Sequence, residues 1–78
     1  MLEKLTIQEF NENKDKFNEL GGTIKIIPSD KDEEIQKVAE DNMPRDLKPT
    51  HYLVINTRPM ALGVCDVSIL YYRKKEDS

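Results

Sequence analysis

The sequence is poor in the residues that most often carry chemistry, with one cysteine, one histidine and no tryptophan among its 78 residues. A single cysteine cannot form an internal disulfide, and Cys65 with His51 supplies too few ligands for a structural zinc site. A phosphate-binding loop is absent as well, because Gly21-Gly22 stands between a predicted helix and a predicted strand, the reverse of the order that such loops need. We therefore expect no metal site and no cofactor.

Long apolar runs and a strong basic charge are absent too. The chain has no apolar run of about eighteen residues, and its N-terminus lacks the apolar stretch of a signal peptide. The net charge of −3 disfavours a nucleic-acid partner or a membrane surface. A chain of 78 residues can build only one hydrophobic core. We therefore expect a single domain over residues 1–78, located in the cytoplasm, or in the host cytoplasm if a phage encodes it.

The first segment has a helical pattern. Thr6 and Glu9 form a capping box, in which the Thr6 hydroxyl accepts an early backbone N–H and Glu9 reaches back to the cap. Gly21-Gly22 is typical of a left-handed helix stop. A helix over 6–20 is predicted, and one stripe of it holds four apolar residues: Ile7, Phe10, Phe17 and Leu20.

The other segments alternate between strand-like and helical patterns. A short β-branched run closed by Pro28 predicts a strand, and an amphipathic run with acids in its first turn predicts a helix. Two longer β-branched and aromatic runs, separated by a loop with Pro59 and Gly63, predict a hairpin. The expected elements are a strand over 23–28, a helix over 30–42, strands over 51–58 and 64–73, and a flexible tail over 74–78.

The element order α-β-α-β-β predicts an α+β fold, with two helices on a three-stranded mixed sheet that ends in a β-hairpin. The first strand, the second helix and the second strand would form a crossover, to which the hairpin adds an antiparallel strand. The alternative is a strand over Glu3–Ile7 in place of the first helical turn.

Candidate catalytic groups are few. Cys65 and His51 are the one conceivable pair of nucleophile and base, but Cys65 alternates in phase with Val67 and Ile69, as a buried core residue does. The neighbouring acids on the second helix point about 100° apart and cannot converge on one reacting atom. We expect no catalytic residue and no enzymatic activity.

Two surfaces are candidates for binding another protein. One is an acidic face of the second helix, which attracts a basic partner or is only a solvated surface. The other is the hairpin loop, whose apolar side chains either anchor a partner or fold back onto the core. The partner-binding candidates are Asp30, Glu33, Glu34, Glu40 and Asp41 on the helix, and Arg58, Met60 and Leu62 in the loop.

The last predicted strand is apolar on both faces, since Leu70 and Tyr72 alternate with Ile69 and Tyr71. Helices on both sides of the sheet would explain this pattern, and so would a homodimer packed through the hairpin. We favour the dimer, because two short helices can hardly cover two faces.

These observations predict a small non-enzymatic protein-interaction protein, whose most specific form is a phage-type inhibitor that occludes a host or defence protein. One alternative is a small-ligand-binding or sequestering protein with a pocket at a dimer seam. The other is a module for single-stranded nucleic acid or RNA, in which hairpin tyrosines stack on bases beside a basic edge. Its contacts would be Tyr52, Tyr72, Arg73, Lys74 and Lys75.

Overall fold

The chain forms a four-stranded mixed sheet with one α-helix on each face, as seen in a computed structural model that describes residues 2–28, 31–60 and 63–75. The sheet order is β1-β3-β4-β2, and only β1 and β3 pair in parallel. Two 3-10 turns, Lys14–Lys16 and Arg45–Leu47, connect elements. The elements are β1 (Glu3–Lys4), α1 (Ile7–Glu12), β2 (Phe17–Ile27), α2 (Asp32–Asp41), β3 (His51–Pro59) and β4 (Cys65–Lys74).

The predicted α+β class, the two helices, the mixed sheet and the hairpin are confirmed. The three-stranded sheet is wrong, because the N-terminus adds a fourth strand beside β3. The Glu3 N–H donates to the Thr50 carbonyl at 3.1 Å, and the Leu5 N–H donates to the Tyr52 carbonyl at 2.8 Å. Of the alternative strand over Glu3–Ile7, only Glu3–Lys4 is found as a strand, and it is present together with the helix, which begins at Ile7.

The helix predicted over 6–20 ends at Glu12. Its start is as expected, since the Thr6 hydroxyl accepts the Glu9 N–H at 3.0 Å and donates to the Glu9 carboxylate at 2.9 Å. At its end the Asn13 side chain donates to the Glu9 carbonyl at 2.9 Å, and the Asn13 backbone N–H donates to the Phe10 carbonyl at 3.1 Å instead of continuing the helix. The remainder of the predicted helix, from Phe17 onward, is β-strand.

The Gly21-Gly22 pair is a β-bulge inside β2 and not the predicted helix stop. Between Glu19 and Gly22, β2 has one more residue than its partner β4. Gly21 has a φ of 100°, which residues with a side chain rarely adopt. A Cβ on Gly22 would lie 2.5 Å from the backbone oxygen of Ile69. Helix stops and bulges both use positive φ, so the dipeptide alone cannot distinguish them.

The strand predicted over 23–28 is too short, because β2 spans Phe17–Ile27. The bounds predicted for the second helix and for the two hairpin strands are close to those found. α2 spans Asp32–Asp41 rather than 30–42, and its N-cap is Lys31, without a side-chain cap hydrogen bond. At its end the Asn42 side chain donates to the Val38 carbonyl at 2.9 Å. Lys74 belongs to β4 and not to a flexible tail, whereas residues 76–78 lie outside the described residues.

The side of the sheet under α2 holds the larger apolar cluster. The Tyr71 hydroxyl donates to the Ala39 carbonyl at 2.6 Å and ties β4 to the helix. This cluster buries eight residues: Leu2, Ile27, Ile35, Ala39, Tyr52, Val67, Ile69 and Tyr71. We call this side the α2 face.

The opposite side, the α1 face, has a smaller cluster. It buries Leu5, Leu53 and Tyr72, with Phe10 and Phe17 packed against them. The ring centroids of Phe10 and Tyr72 are 5.0 Å apart. Each face of β4 carries a helix, as the first of the two explanations offered by the sequence requires. The homodimer packed through the hairpin stays a prediction.

Candidate functional site

The α1 face is covered at one end and bare at the other. α1 has six residues and is about 9 Å long, whereas the eleven-residue β2 beneath it extends about 36 Å. The sheet beyond the helix exposes three large apolar side chains: Ile24 at 69%, Ile26 at 62% and Ile55 at 48% exposure. We call this bare region of the α1 face the open face.

Strand register brings these isoleucines together. In the β2–β4 pairing Gly22 lies opposite Leu70, and Ile24 lies opposite Ser68, so alternate residues of β2 share the α1 face. Ile55 stands at the point where the β3–β4 register slips by one residue, and it lines the same depression as Ile24. The depression has a volume of about 630 Å³ and is lined by Gly22, Thr23, Ile24, Ile55, Ser68, Ile69 and Leu70.

The predicted loop candidates lie at the hairpin end of the sheet. Arg58 and Asp66 form an ion pair at 3.0 Å, in which the Arg58 side chain is exposed and Asp66 is half-buried. Ion pairs with an exposed member contribute little stability. Met60 is exposed, and its N–H donates to the Val64 carbonyl at 2.8 Å. Leu62 lies outside the described residues. Met60 therefore does not fold back onto the core, and it adds an apolar side chain at the hairpin end.

The acidic helix candidates are only partly assembled on one surface. Glu33, Glu34 and Asp41 are exposed on α2, and Asp30 lies outside the described residues. Glu40 differs, since it is half-buried and its Oε1 has no hydrogen-bond partner in the described structure. The acidic surface is therefore narrower than predicted. It also faces away from the open face, because α2 lies on the other side of the sheet.

The tyrosines proposed for nucleic-acid stacking are buried. Tyr52 belongs to the α2-face cluster and Tyr72 to the α1-face cluster. Burial raises the pKa of both, and the pKa of Tyr52 is raised further by Asp32 and Glu40. These rings cannot stack on bases, so this part of the alternative site is wrong. The basic residues of this alternative site are exposed at the end of β4 that lies away from the hairpin loop: Arg73, Lys74 and, directly after the strand, Lys75.

His51 and Cys65 lie at opposite ends of the hairpin. Cys65 is opposite Pro59, and His51 is opposite Tyr72, which puts them about 26 Å apart along the strands. Neither can activate the other. Within the described ranges, no cluster of three histidine, cysteine or acidic side chains could hold a metal ion. No helix there has the length and apolar character to cross a bilayer.

Sequence reasoning missed Ile24, Ile26 and Ile55 as surface residues. The alternation in Thr23–Ile27 places two isoleucines on one face, and this signal would have found them had the end of α1 been known. Comparisons of the chain with protein-family models, curated proteins and solved structures find no match.

Proposed function

We propose that this chain is a non-enzymatic protein-interaction protein that associates through its open face, and that the occupant of this face is a second copy of the chain. The observation that carries the proposal is the grouping of Ile24, Ile26 and Ile55, each roughly half exposed or more, on one side of the sheet. Exposed apolar side chains are normal singly, but a contiguous group marks a contact surface.

The shape of the α1 face supports a second copy as the occupant. α1 raises one end of this face by about 10 Å, and the open face forms a recess beside it. If a twofold axis lies between α1 and the recess, the helix of each copy packs on the open face of the other. Both copies then use the same surface, as an isologous contact requires. Ile7, at the start of α1, is 60% exposed and would supply apolar contact from the helix side.

The area of the open face indicates a weak dimer. From Gly22 to Ile27 and across three strands it measures about 20 by 14 Å, or roughly 280 Å² in projection. With the flank of α1 included, each copy would bury about 500 Å², so the total of about 1,000 Å² lies at the lower limit of specific interfaces. We therefore expect a dissociation constant in the micromolar range or weaker.

The acidic side of α2 is the second contact surface in this proposal. α2 lies on the opposite side of the sheet, so a dimer joined through the open faces leaves Glu33, Glu34 and Asp41 of both copies accessible. Two acidic faces would attract a basic partner and accelerate its association. An inhibitor that occludes a nucleic-acid-binding host or defence protein is the specific form of this function.

Sedimentation equilibrium from about 5 to 500 μM tests the self-association over the range expected for such a small interface. The wild type is expected to shift from monomer to dimer, and Ile24→Lys with Ile55→Lys is expected to remain monomeric. Lys25→Glu is the matched control, because Lys25 lies on the same strand but on the α2 face, opposite Val67. A wild type that is monomeric throughout, or a double variant that dimerises equally well, would overturn the proposal.

A further inference from the structure

A second depression lies at the end of the sheet away from the hairpin. Its volume is about 650 Å³. The end of β4, the start of β2 and the loop after the second 3-10 turn supply its walls. Its six lining residues are Asn18, Lys48, Thr50, Arg73, Lys74 and Lys75. Four of them are cationic, and three of these, Lys48, Arg73 and Lys75, can turn their charge toward it, because the Lys74 side chain lies on the other face of the strand. We call it the basic depression.

Backbone contacts fix the rim of the basic depression. The Arg73 guanidinium donates to the Leu47 carbonyl at 3.1 Å, which joins β4 to the loop. The Lys74 N–H donates to the Thr50 hydroxyl at 2.9 Å. The Lys75 N–H donates to the Lys16 carbonyl at 2.8 Å. Arg73 lies opposite Asn18 on the α2 face, whereas Lys74 lies opposite Phe17 on the α1 face, because side chains alternate along a strand. The cationic side chains on the side of the basic depression are therefore those of Lys48, Arg73 and Lys75, and they belong to segments that are held together before any ligand arrives.

Within residues 2–28, 31–60 and 63–75, the side chains of Lys48, Arg73 and Lys75 form no ion pair with a carboxylate. In the described part of the chain, ion pairs join Lys4 to Asp32, His51 to Glu3 and Arg58 to Asp66, and none of these involves the basic depression. This concentration occurs in a chain with more acids than bases, 15 against 12. Like charges held together repel one another, so an anion that bridges them would relieve this repulsion.

We propose that the basic depression binds the phosphate chain of a di- or triphosphate. Its volume falls within the range of about 300–1,000 Å³ that is typical of small-ligand sites. The N–H groups of the Arg73 guanidinium that do not bind the Leu47 carbonyl can donate to phosphate oxygens, and the lysines supply point charges for the others. The ligand is recognised by its charge, because the lining contains no aromatic ring on which a base could stack. This site is independent of the open face.

Isothermal titration calorimetry in about 50 mM salt tests the site with sodium triphosphate as the probe, followed by ATP. We expect saturable binding that weakens about tenfold in Lys48→Gln and at least as much in Arg73→Gln, since each loses a charge-assisted contact. Lys37→Gln, on the exposed side of α2, is the control and should bind as the wild type does. ATP that binds like triphosphate identifies the phosphate chain alone as the ligand, whereas tighter ATP binding identifies a nucleotide.

Arg73→Gln also loses its contact with the Leu47 carbonyl, so Lys48→Gln and Lys75→Gln provide evidence that does not depend on this contact. Amide NMR spectra recorded during the same titration give a second readout. The proposal would be overturned if about 1 mM triphosphate produced neither binding heat nor amide chemical-shift changes, or if all variants bound it equally well. A single-stranded oligonucleotide that binds about tenfold more tightly than triphosphate would replace the small ligand with a phosphodiester chain. None of these results depends on whether the open face dimerises.

Discussion

α1 and α2 lie on opposite faces of one sheet and differ in how much of it they cover. α2 has ten residues and α1 has six. Each ends at an asparagine whose side chain donates to the carbonyl four residues earlier, Asn13 to Glu9 and Asn42 to Val38. The two helix ends differ in their backbone, because the Asn42 N–H also donates to the Val38 carbonyl at 3.1 Å, whereas the Asn13 N–H donates to the Phe10 carbonyl at 3.1 Å. α2 has almost three turns and α1 fewer than two, so α1 leaves more of its side of the sheet bare.

The consequence is a difference in burial between side chains of the same type. Ile69, under α2, is almost wholly buried, whereas Ile24, on the α1 face, is largely exposed. A buried isoleucine stabilises the fold, and an exposed one contributes little unless a partner covers it. The comparison therefore separates residues that hold the monomer together from residues that are available for contact.

The largest expected change is the difference in stability loss between truncating Ile69 and truncating Ile24. Ile69→Ala should lower the free energy of unfolding by about 2–4 kcal/mol, because it leaves a cavity in the α2-face cluster. Ile24→Ala should change it by less than about 0.5 kcal/mol in the monomer. Urea unfolding at low micromolar concentration measures both. Equal losses would show that the open face is part of the monomer core.

The bulge in β2 offers the next test. Gly22→Ala should cost about 1–3 kcal/mol, because the new Cβ would meet the backbone oxygen of Ile69. Gly63→Ala is the comparison, since Gly63 has a positive φ but open space around it, and it should cost about 1 kcal/mol. Thermal unfolding of the two variants ranks them. A Gly22→Ala protein as stable as the wild type would contradict the bulge geometry.

Under α2 a buried tyrosine hydroxyl is hydrogen-bonded to the helix backbone, and among the described residues no such bond is seen under α1. Tyr71→Phe removes the hydrogen bond to the Ala39 carbonyl and should cost about 1 kcal/mol. Tyr72→Phe is matched to it in burial, and Tyr72 makes no side-chain hydrogen bond in the described structure, so its cost should be close to zero. Denaturant midpoints distinguish the two, and a larger loss in Tyr72→Phe would contradict this assignment.

Alkaline pH should produce the smallest change in stability. It acts through buried tyrosines on both faces of the sheet. Burial raises the pKa of Tyr52, Tyr71 and Tyr72 in the folded chain. Unfolded tyrosines lose their protons near pH 10. The folded state therefore binds more protons above that pH, so its stability is fully present below about pH 10 and falls as the pH rises further. Absorbance at about 295 nm should show tyrosinate only as circular dichroism reports unfolding. Tyrosinate in a folded protein near pH 10 would contradict the burial.

Local signals in the sequence predicted much of the fold. The capping box at Thr6, the amphipathic α2 and the β-branched hairpin strands each depend on neighbouring residues, and each is found close to its predicted place. The errors concern long-range pairing. Phe17 and Leu20 fit a helical stripe, but pairing with β4 makes them part of a strand, and only that pairing shows Gly21-Gly22 to be a bulge.

The contact surfaces could be predicted only in part. The charged candidates on α2 and at the end of β4 could be recognised from the residue types in those segments. The burial of Tyr52 and Tyr72 could not, because it depends on which faces of the sheet the helices cover. The alternation in Thr23–Ile27 places Ile24 and Ile26 on one face, but their exposure could not be predicted. They are exposed because α1 ends at Glu12 and the chain from Phe17 onward pairs with β4.

Isotope-filtered nuclear Overhauser spectroscopy tests the occupant of the open face most directly. A mixture of labelled and unlabelled chains, at a concentration where sedimentation shows dimer, reports contacts between copies alone. We expect cross-peaks from the methyl groups of Ile7 in one copy to those of Ile24 and Ile55 in the other, because the helix of each copy would fill the recess of its partner. Cross-peaks confined to Met60 or to α2, with none at Ile24, would contradict a dimer through the open face.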